Sequence, residues 1–393
     1  MRVISSVNPN LKSMQAGQYV YEPQEGWKTL AKLPSQDYTA TLSLVFGDRK
    51  LLSTGNWRKN LPADCSQRAM LISSTSGEIM NTSVLDGSVV ITSLGFEKTT
   101  LREELADISQ FPDSFSAGAD LGHRLLSPDL QYVLIVSDGQ RVNGSQLIAG
   151  ISRAVGSDIP VTGGLAGDAA RFEKTLVGWN DRVDEGVIVA VGFYGNSLQV
   201  GHGSVGGWEM FGPDRMITRS ADNVLYELDG KNALELYKRY LGPHAKDLPG
   251  SGLLFPLNIW LADNPEPLTR TILNVDEETQ SMVFAGDMPF GSKVRFMKAN
   301  FDKLIEGSEM AAQESIEASN QPRPRFALLI SCVGRKLILG QRIEEEVEVA
   351  KDVLGPQCTL TGFYSYGEIC PTEKGGFGEL HNQTMTITTL DEL

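Results

Sequence analysis

The stretch between residues 133 and 195 decides the fold. It reads VLIVSDG (133–139), GSQLIAGISRAVG (144–156), PVTGGLAGD (160–168) and GVIVAVGFYG (186–195). The short β-rich apolar runs predict strands, and the second piece predicts a helix that ends at Gly156. The order is therefore strand, helix, second strand with a glycine-rich turn, and return strand.

The same order recurs in the C-terminal part of the chain and, more weakly, near the N-terminus. The C-terminal copy reads ALLISCVGR (327–335), EEEVEVAKDVLG (344–355), TLTGFYSYGE (359–368) and TMTITTL (384–390). The weaker copy reads TLSLVFG (41–47), AMLISSTSGEI (69–79) and VVITSLGF (89–96). A repeated supersecondary unit of this kind indicates internal duplication.

The sequence between the two strong copies has a different character. The piece NVLYELDGKNALELYKRYL (223–241) predicts an amphipathic helix with Leu234, Tyr237 and Leu241 on one face, and residues 269–297 alternate as antiparallel strands with tight turns do. We therefore expect a mixed α/β protein of two related α/β halves, with an antiparallel strand insertion in the second half. The expected divisions are an N-terminal extension (1–29), a first domain (30–224), a second domain (225–378) and a closing strand (379–393).

Composition limits the possible partners and the compartment. The 393 residues carry 35 Lys and Arg against 49 Asp and Glu, a net charge of −14 that disfavours nucleic-acid binding. No apolar run is long enough to span a membrane, and the first residues lack the apolar segment of a secretory signal. The four cysteines have neither CxxC nor zinc-site spacing, so we expect a reduced, cytoplasmic protein.

Three turns pair a glycine with an acidic residue. They are Gly77-Glu78, Gly167-Asp168 and Gly367-Glu368, each following a predicted strand. Such a turn either closes a small-molecule pocket or simply uses the backbone freedom of glycine. Aromatic residues beside the third turn, including Phe363 and Tyr366, favour a pocket there.

Cys332 and the acidic run 344–346 each have two interpretations. Cys332 ends a predicted buried strand, and it is either an inert core thiol or a nucleophile whose pKa is lowered by Arg335. Residues 344–346 and Glu348 lie at the start of a helix, and they are either paired carboxylates that carry chemistry or a solvated, dipole-stabilised helix start, which is the simpler interpretation.

Two of the four histidines are candidate metal ligands. His381 lies just before the last strand, and it is either a hydrogen-bonded structural residue or the single axial ligand of a heme. His202, which is flanked by glycines and followed by Trp208, is the second candidate. The absence of an HExxH motif argues against a site built from several histidines.

Long motif strings in the chain resemble the FIST domain family, named for F-box and intracellular signal transduction. The strings are WEMFGPDRMITRS (208–220), SCVGRKLILGQR (331–342), GFYSYGEICP (362–371) and GELHNQTMTITTL (378–390). The resemblance extends over residues 30–390 and implies a non-enzymatic sensory protein. The chain is most similar to stand-alone bacterial members that bind heme, sense nitric oxide and regulate a histidine kinase or a cyclic-di-GMP enzyme.

That resemblance implies a site of heme b. His381 is the expected iron ligand, with His202 as second candidate. The other residues expected at the site are Trp208, Cys332, Arg335, Phe363, Tyr366, Gly367 and Glu368, with Arg335 paired to a heme propionate. A homodimer is compatible with this function. The alternatives are a heme-free sensor of an amino-acid-like metabolite held by the glycine-acid turns, and a Cys332-dependent enzyme.

Overall fold

The computed structural model describes residues 14–33, 40–63, 65, 69–169, 171–261, 267–372 and 375–393. Residues 1–13, on which the expectation of no secretory signal rests, lie outside this set. Within the described ranges, no helix combines the length and apolar character needed to cross a membrane.

The first repeated unit occupies the N-terminal quarter of the chain. Its elements are β1 (Gln15–Glu22), β2 (Gly26–Ala31), β3 (Leu42–Gly47), α1 (Arg49–Thr54), β4 (Met70–Ser74), β5 (Glu78–Met80), β6 (Ser83–Leu85) and β7 (Val89–Gly95). Strands β1 and β2 extend the first sheet, so the fold begins before residue 30 and includes part of the expected extension.

The second unit follows directly. Its elements are β8 (Thr100–Asp107), α2 (Ser114–Leu125), β9 (Leu130–Ser137), α3 (Gly144–Val155), β10 (Val161–Leu165), β11 (Val177–Trp179), β12 (Arg182–Asp184) and β13 (Val187–Tyr194).

The third unit is interrupted by a long insertion. It begins with β14 (Leu198–Val205) and resumes with α5 (Phe301–Ser319), β23 (Phe326–Cys332), α6 (Val333–Leu339), α7 (Ile343–Leu354), β24 (Thr359–Ser365), β25 (Gly367–Pro371), β26 (Gly378–His381) and β27 (Met385–Glu392). The insertion, residues 209–298, contains β15 (Glu209–Ala221), β16 (Val224–Leu228), β17 (Lys231–Asn232), α4 (Ala233–Leu241), β18 (Leu257–Trp260), β19 (Leu268–Arg270), β20 (Ile272–Asp276), β21 (Ser281–Phe284) and β22 (Lys293–Lys298).

All three units share one connectivity. In each, the second strand pairs in parallel with the first (β3 with β4, β9 with β10, β23 with β24). The return strand pairs antiparallel with the first (β7 with β3, β13 with β9, β27 with β23). The mixed α/β fold class is confirmed, and the weaker N-terminal copy is a third unit beside the two expected halves.

The units exchange strands in a ring. The hairpin after each second strand leaves its own unit and pairs antiparallel with the second strand of another. Thus β5 of the first unit pairs with β24, β25 of the third with β10, and β11 of the second with β4. Each unit therefore completes a neighbour's sheet, which links the three sheets into one body.

Successive side chains of each first strand point to opposite faces of the sheet. The packing of both faces explains why these runs are apolar throughout. In β9, Tyr132, Leu134 and Val136 face the central core shared by the three sheets. Val133 and Ile135 face the layer formed by α2 and α3. Because both faces of the strand are buried, the sequence reads as a continuous apolar run.

The helices lie close to their neighbours at glycines. A Cβ at Gly118 of α2 would lie 2.2 Å from the Leu147 carbonyl oxygen, and one at Gly150 of α3 would lie 2.1 Å from the Phe115 oxygen. Since no side chain fits there, these glycines set the separation of α2 and α3.

The insertion forms its own antiparallel eight-stranded sheet around a separate apolar core with α4. This confirms the expected antiparallel character of the segment. The insertion meets α3 and β26 on one side, and we call this contact the seam. It also packs against α6 through Leu254.

Candidate functional site

The three glycine-acid turns lie where the chain crosses from one unit to the next. We call residues 75–78, 166–168 and 365–368 the crossover turns. Glu78, Asp168 and Glu368 are all fully buried or nearly so. Because the turns lie between units, the partners of these carboxyl groups decide whether the turns form a ligand pocket.

The first and third crossover turns are built alike. Glu78 accepts hydrogen bonds from the hydroxyls of Thr75 at 2.6 Å and Ser88 at 2.7 Å. Glu368 accepts one from the Ser365 hydroxyl at 2.6 Å and two from Thr384 at 3.1–3.2 Å. Burial raises the pKa of each glutamate to about 8, against the opposing effect of these bonds.

Asp168 in the second crossover turn is also satisfied by the protein. Its carboxylate accepts hydrogen bonds from the Tyr366 hydroxyl and from the backbone amides of Phe172, Glu173 and Lys174. All three acidic side chains therefore bind their own chain. Asp168 joins the second unit to the third through Tyr366, whereas the partners of Glu78 and Glu368 lie within their own units.

Most of the other predicted site residues lie in the packed interior. Phe363 is fully buried, with its ring centroid 4.7 Å from that of Phe46. Cys332 is 3% exposed, and burial raises the pKa of its thiol far above the ordinary value. The Trp208 indole donates to the Gln383 carbonyl oxygen at 2.8 Å.

Arg335 is fully buried beside Glu346. Its guanidinium donates to the Glu346 carboxylate at 2.8–3.0 Å and to the backbone oxygens of Gly206 and Leu304. Glu346 also accepts from the Tyr364 hydroxyl at 2.7 Å. The solvated helix start expected at 344–346 is therefore wrong for Glu346, because Glu346 forms a buried ion pair with Arg335.

The two candidate iron ligands lie on either side of Cys370 in the hydrogen-bond network. The His381 ring nitrogen Nε2 lies 2.9 Å from the Cys370 carbonyl oxygen, and the His202 Nδ1 lies 3.7 Å from the Cys370 sulfur. Burial lowers the pKa of His381 to about 4, so its imidazole is neutral at pH 7.

Neither histidine has the surroundings that a heme requires. An axial ligand needs an open nitrogen facing an apolar cleft. His381 is 6% exposed and lines none of the cavities of about 290, 320 and 430 Å³, so it faces no heme-sized cleft there. His202 lines a cavity of about 290 Å³ whose wall is about half polar, with Gln131, Asp158 and Asn320, and not the apolar cleft that a heme needs. These residues do not fit a heme at either position.

The seam contains two cavities that are larger than the one lined by His202. The polar seam cavity, about 320 Å³, lies at the carboxyl ends of β9 and β10 and includes Tyr366, whose ring stacks on Phe172 with centroids 4.5 Å apart. The apolar seam cavity, about 430 Å³, lies between α3, β26 and the insertion. Tyr366 is the predicted site residue that lines a seam cavity.

Arg270 is the buried charged residue of the apolar seam cavity, and sequence analysis missed it. It is 2% exposed, and its guanidinium donates to the backbone oxygens of Leu380 at 3.0 Å and Asp287 at 3.3 Å. Among the described residues, no carboxylate forms an ion pair with it. Burial lowers its pKa to about 10, while Asp287 and Glu379 act in the opposite direction.

Ser145, on the first turn of α3, lines the same cavity. Its hydroxyl oxygen is buried and has no hydrogen-bond partner among the described residues. The sequence signal that could have identified Arg270 is a charged residue within the alternating strand LTRTIL (268–273), whereas nothing in the sequence distinguishes Ser145.

The architecture defines a protein of duplicated α/β units with preformed cavities beside an inserted sheet. Models of the FIST N domain and FIST C domain match residues 41–231 and 233–371. The chain belongs to the FIST family, as its motif strings indicated, and FIST domains are associated with sensing in signal transduction.

Two individual proteins are similar to this chain. An uncharacterized protein of Methanocaldococcus jannaschii is 26% identical over 243 residues, which cover 53% of this chain and 45% of that protein. The chain thus matches about half the length of that relative. A crystal structure of a chorismatase aligns over 98% of this chain and 100% of its own, with a TM-score of 0.37 and 6% identity.

Proposed function

We propose that the protein is a sensor that binds a small molecule at the seam and responds through the packing of its insertion. The observation that carries this proposal is the pair of cavities of about 320 and 430 Å³ between the insertion and the second and third units. Cavities of this size accommodate metabolites, and ligand sites commonly lie between separately packed bodies.

The seam is joined by few polar contacts. Arg270 binds the Leu380 carbonyl, and the Asn143 side chain donates to Asp287 at 3.3 Å. The insertion has its own core, so its packing against α3 is a separate contribution to stability. A ligand that contacts both sides favours the arrangement in which they are together. Such a shift is a signal that a partner protein can detect.

The proposed ligand site is therefore the seam and not the glycine-acid turns. The turns remain important because Tyr366 joins the second crossover turn to the polar seam cavity. Regulation of a histidine kinase or a cyclic-di-GMP enzyme stays a prediction. It is tested by whether either enzyme's rate changes when the protein is added with and without ligand.

The test is ligand-dependent thermal stabilisation with a variant that fills the cavity. Ala149→Trp places an indole at the apolar seam cavity, which Ala149 lines. Met310→Trp is the matched control, because Met310 is 45% exposed on α5 and lines none of the three cavities. A metabolite collection should contain compounds that raise the melting temperature of the parent and Met310→Trp proteins. At least one should lose its effect in Ala149→Trp, and a collection without any such compound would argue against seam binding.

The same purified protein also tests whether the chain binds heme through His381 or His202. Hemin is added to the parent, His381→Ala and His202→Ala proteins, and absorption is recorded in the oxidised, reduced and nitric-oxide-treated states. We expect a broad spectrum like that of free hemin in all three proteins. A stoichiometric Soret band that shifts with nitric oxide and depends on one histidine would restore the heme-based function.

A further inference from the structure

We infer that the apolar seam cavity takes a monocarboxylate with an apolar body, and that the Arg270 guanidinium and the Ser145 hydroxyl bind its carboxylate. This inference rests on the proposed function, since it names the chemical class of the ligand at the seam. Three features of the cavity carry it.

The first feature is an arginine with unused binding capacity. Arg270 uses Nε and Nη1 for backbone oxygens, whereas Nη2 has no hydrogen-bond partner among the described residues. A buried guanidinium without an ion pair is unfavourable unless a further acceptor is supplied. A carboxylate is the acceptor whose geometry best matches a guanidinium.

The second feature is the unpartnered Ser145 hydroxyl. Buried hydroxyls are normally hydrogen-bonded, so an orphaned one beside a cavity indicates a missing partner. A serine hydroxyl can donate to a carboxylate oxygen. Arg270 and Ser145 come from the insertion and from α3, so a carboxylate bound by both would connect the two sides of the seam.

The third feature is the charge and polarity of the wall. Arg153, Arg270 and Glu379 line the cavity, so two of its three charged side chains are cationic, and Asp287 also acts on Arg270 from beside it. The remaining wall includes Ile148, Leu268 and Leu380, which contact an apolar body favourably. A single carboxylate on an apolar body matches this wall better than a phosphate dianion or a sugar.

The experiment compares three probes of nearly equal shape. Octanoate carries the carboxylate, octanamide lacks the charge, and 2-aminooctanoate adds an ammonium group. Binding is measured by calorimetric titration of the full chain. We expect octanoate to bind about tenfold or more tightly than octanamide, because a hydrogen bond to a charged group contributes that much. 2-Aminooctanoate should bind more weakly than octanoate, because its ammonium lies next to the carboxylate and therefore close to the Arg270 guanidinium.

Variants separate recognition of the carboxylate from binding in general. Arg270→Gln, which retains a donor for the Leu380 carbonyl, should lower octanoate affinity about tenfold and leave octanamide nearly unchanged. Ser145→Ala should weaken octanoate a few-fold and is the second variant if Arg270→Gln does not fold. Ala149→Trp should abolish the binding of both probes, while Met310→Trp should change neither.

Each failure has a distinct meaning. Equal binding of octanoate and octanamide, lost in Ala149→Trp, would overturn carboxylate recognition and leave the seam as a ligand site. Preference for 2-aminooctanoate would overturn the inference in favour of an amino-acid ligand. Binding that persists in Ala149→Trp would show non-specific adsorption and overturn it as well. If no probe and no metabolite binds, the proposed function fails too.

Discussion

The crossover turns and the seam both join separately packed parts of the molecule, but they do so differently. At the crossover turns, the buried carboxyl groups of Glu78, Asp168 and Glu368 all have partners within the chain. At the seam, Arg270 lacks an ion pair and the Ser145 hydroxyl lacks a partner among the described residues. At a junction that only holds the fold together, the buried polar groups all bind one another. At a junction that binds a ligand, some buried polar groups are left for the ligand to bind.

The largest expected effect concerns the ion pair that supports the first crossover turn. Tyr364 bonds both Glu346 and the backbone of Ser76 and Gly77. Arg335→Met leaves the Glu346 carboxylate buried without its cation, so we expect unfolding free energy to fall by about 3–5 kcal/mol. Urea unfolding measures this loss. The double variant Arg335→Met/Glu346→Leu should recover much of it, and a double variant as unstable as the single one would contradict the explanation.

A smaller loss of unfolding free energy is expected where the second crossover turn contacts the first. A Cβ at Gly167 would lie 2.3 Å from the Ser76 hydroxyl and 2.9 Å from the Ser76 amide nitrogen. Gly167→Ala should therefore cost about 1–3 kcal/mol, because the backbone must move apart. Gly250→Ala is the matched control, since a Cβ there meets nothing within 4 Å. Equal melting temperatures for the two variants would show that the turn is loosely packed.

Stability should also depend on pH through Glu78 and Glu368. Their folded-state pKa of about 8 lies above the ordinary value of 4.5, so the folded protein binds more protons than the unfolded chain between these values. Unfolding free energy therefore falls as pH rises from 5 to 8, by up to about 1.4 kcal/mol per pH unit for each group. Glu78→Gln and Glu368→Gln should each flatten this fall. Denaturant midpoints between pH 5 and 8 measure the fall. If neither substitution changes its slope, Glu78 and Glu368 do not titrate in this range.

The smallest change in stability is expected for Ser145→Ala at the seam, and its comparison with Ser365→Ala at a crossover turn distinguishes the two junctions most directly. Ser365→Ala removes the hydroxyl that donates to Glu368 and should cost about 1–3 kcal/mol, because a buried acceptor loses its partner. Ser145→Ala removes an unpartnered hydroxyl and should change ligand-free stability by less than about 0.5 kcal/mol. Thermal unfolding of both variants gives the comparison. A comparable loss for Ser145→Ala would mean that its hydroxyl already has a structural role.

Sequence patterns predicted the repeated units well because those signals are local. The apolar run 133–137 and the glycine-terminated helix after it are read from neighbouring residues, and both lie where expected. The candidate site was harder to predict, because Phe363 and Arg335 occur in motifs whose side chains turn out to point into the core. Motif membership identifies a family, but it does not distinguish a residue that supports the fold from one that lines a cavity.

By itself, the sequence determined the strand-helix-strand unit, its repetition, the antiparallel insertion and membership of the FIST family. These follow from hydrophobic period and motif strings, which depend on residues close together in the chain. Only the tertiary structure decided the ring of exchanged hairpins, the burial of Glu346 and the position of Arg270 at the seam. Those depend on contacts between residues such as Arg270 and Leu380, 110 positions apart, and no local pattern records which distant surfaces will meet.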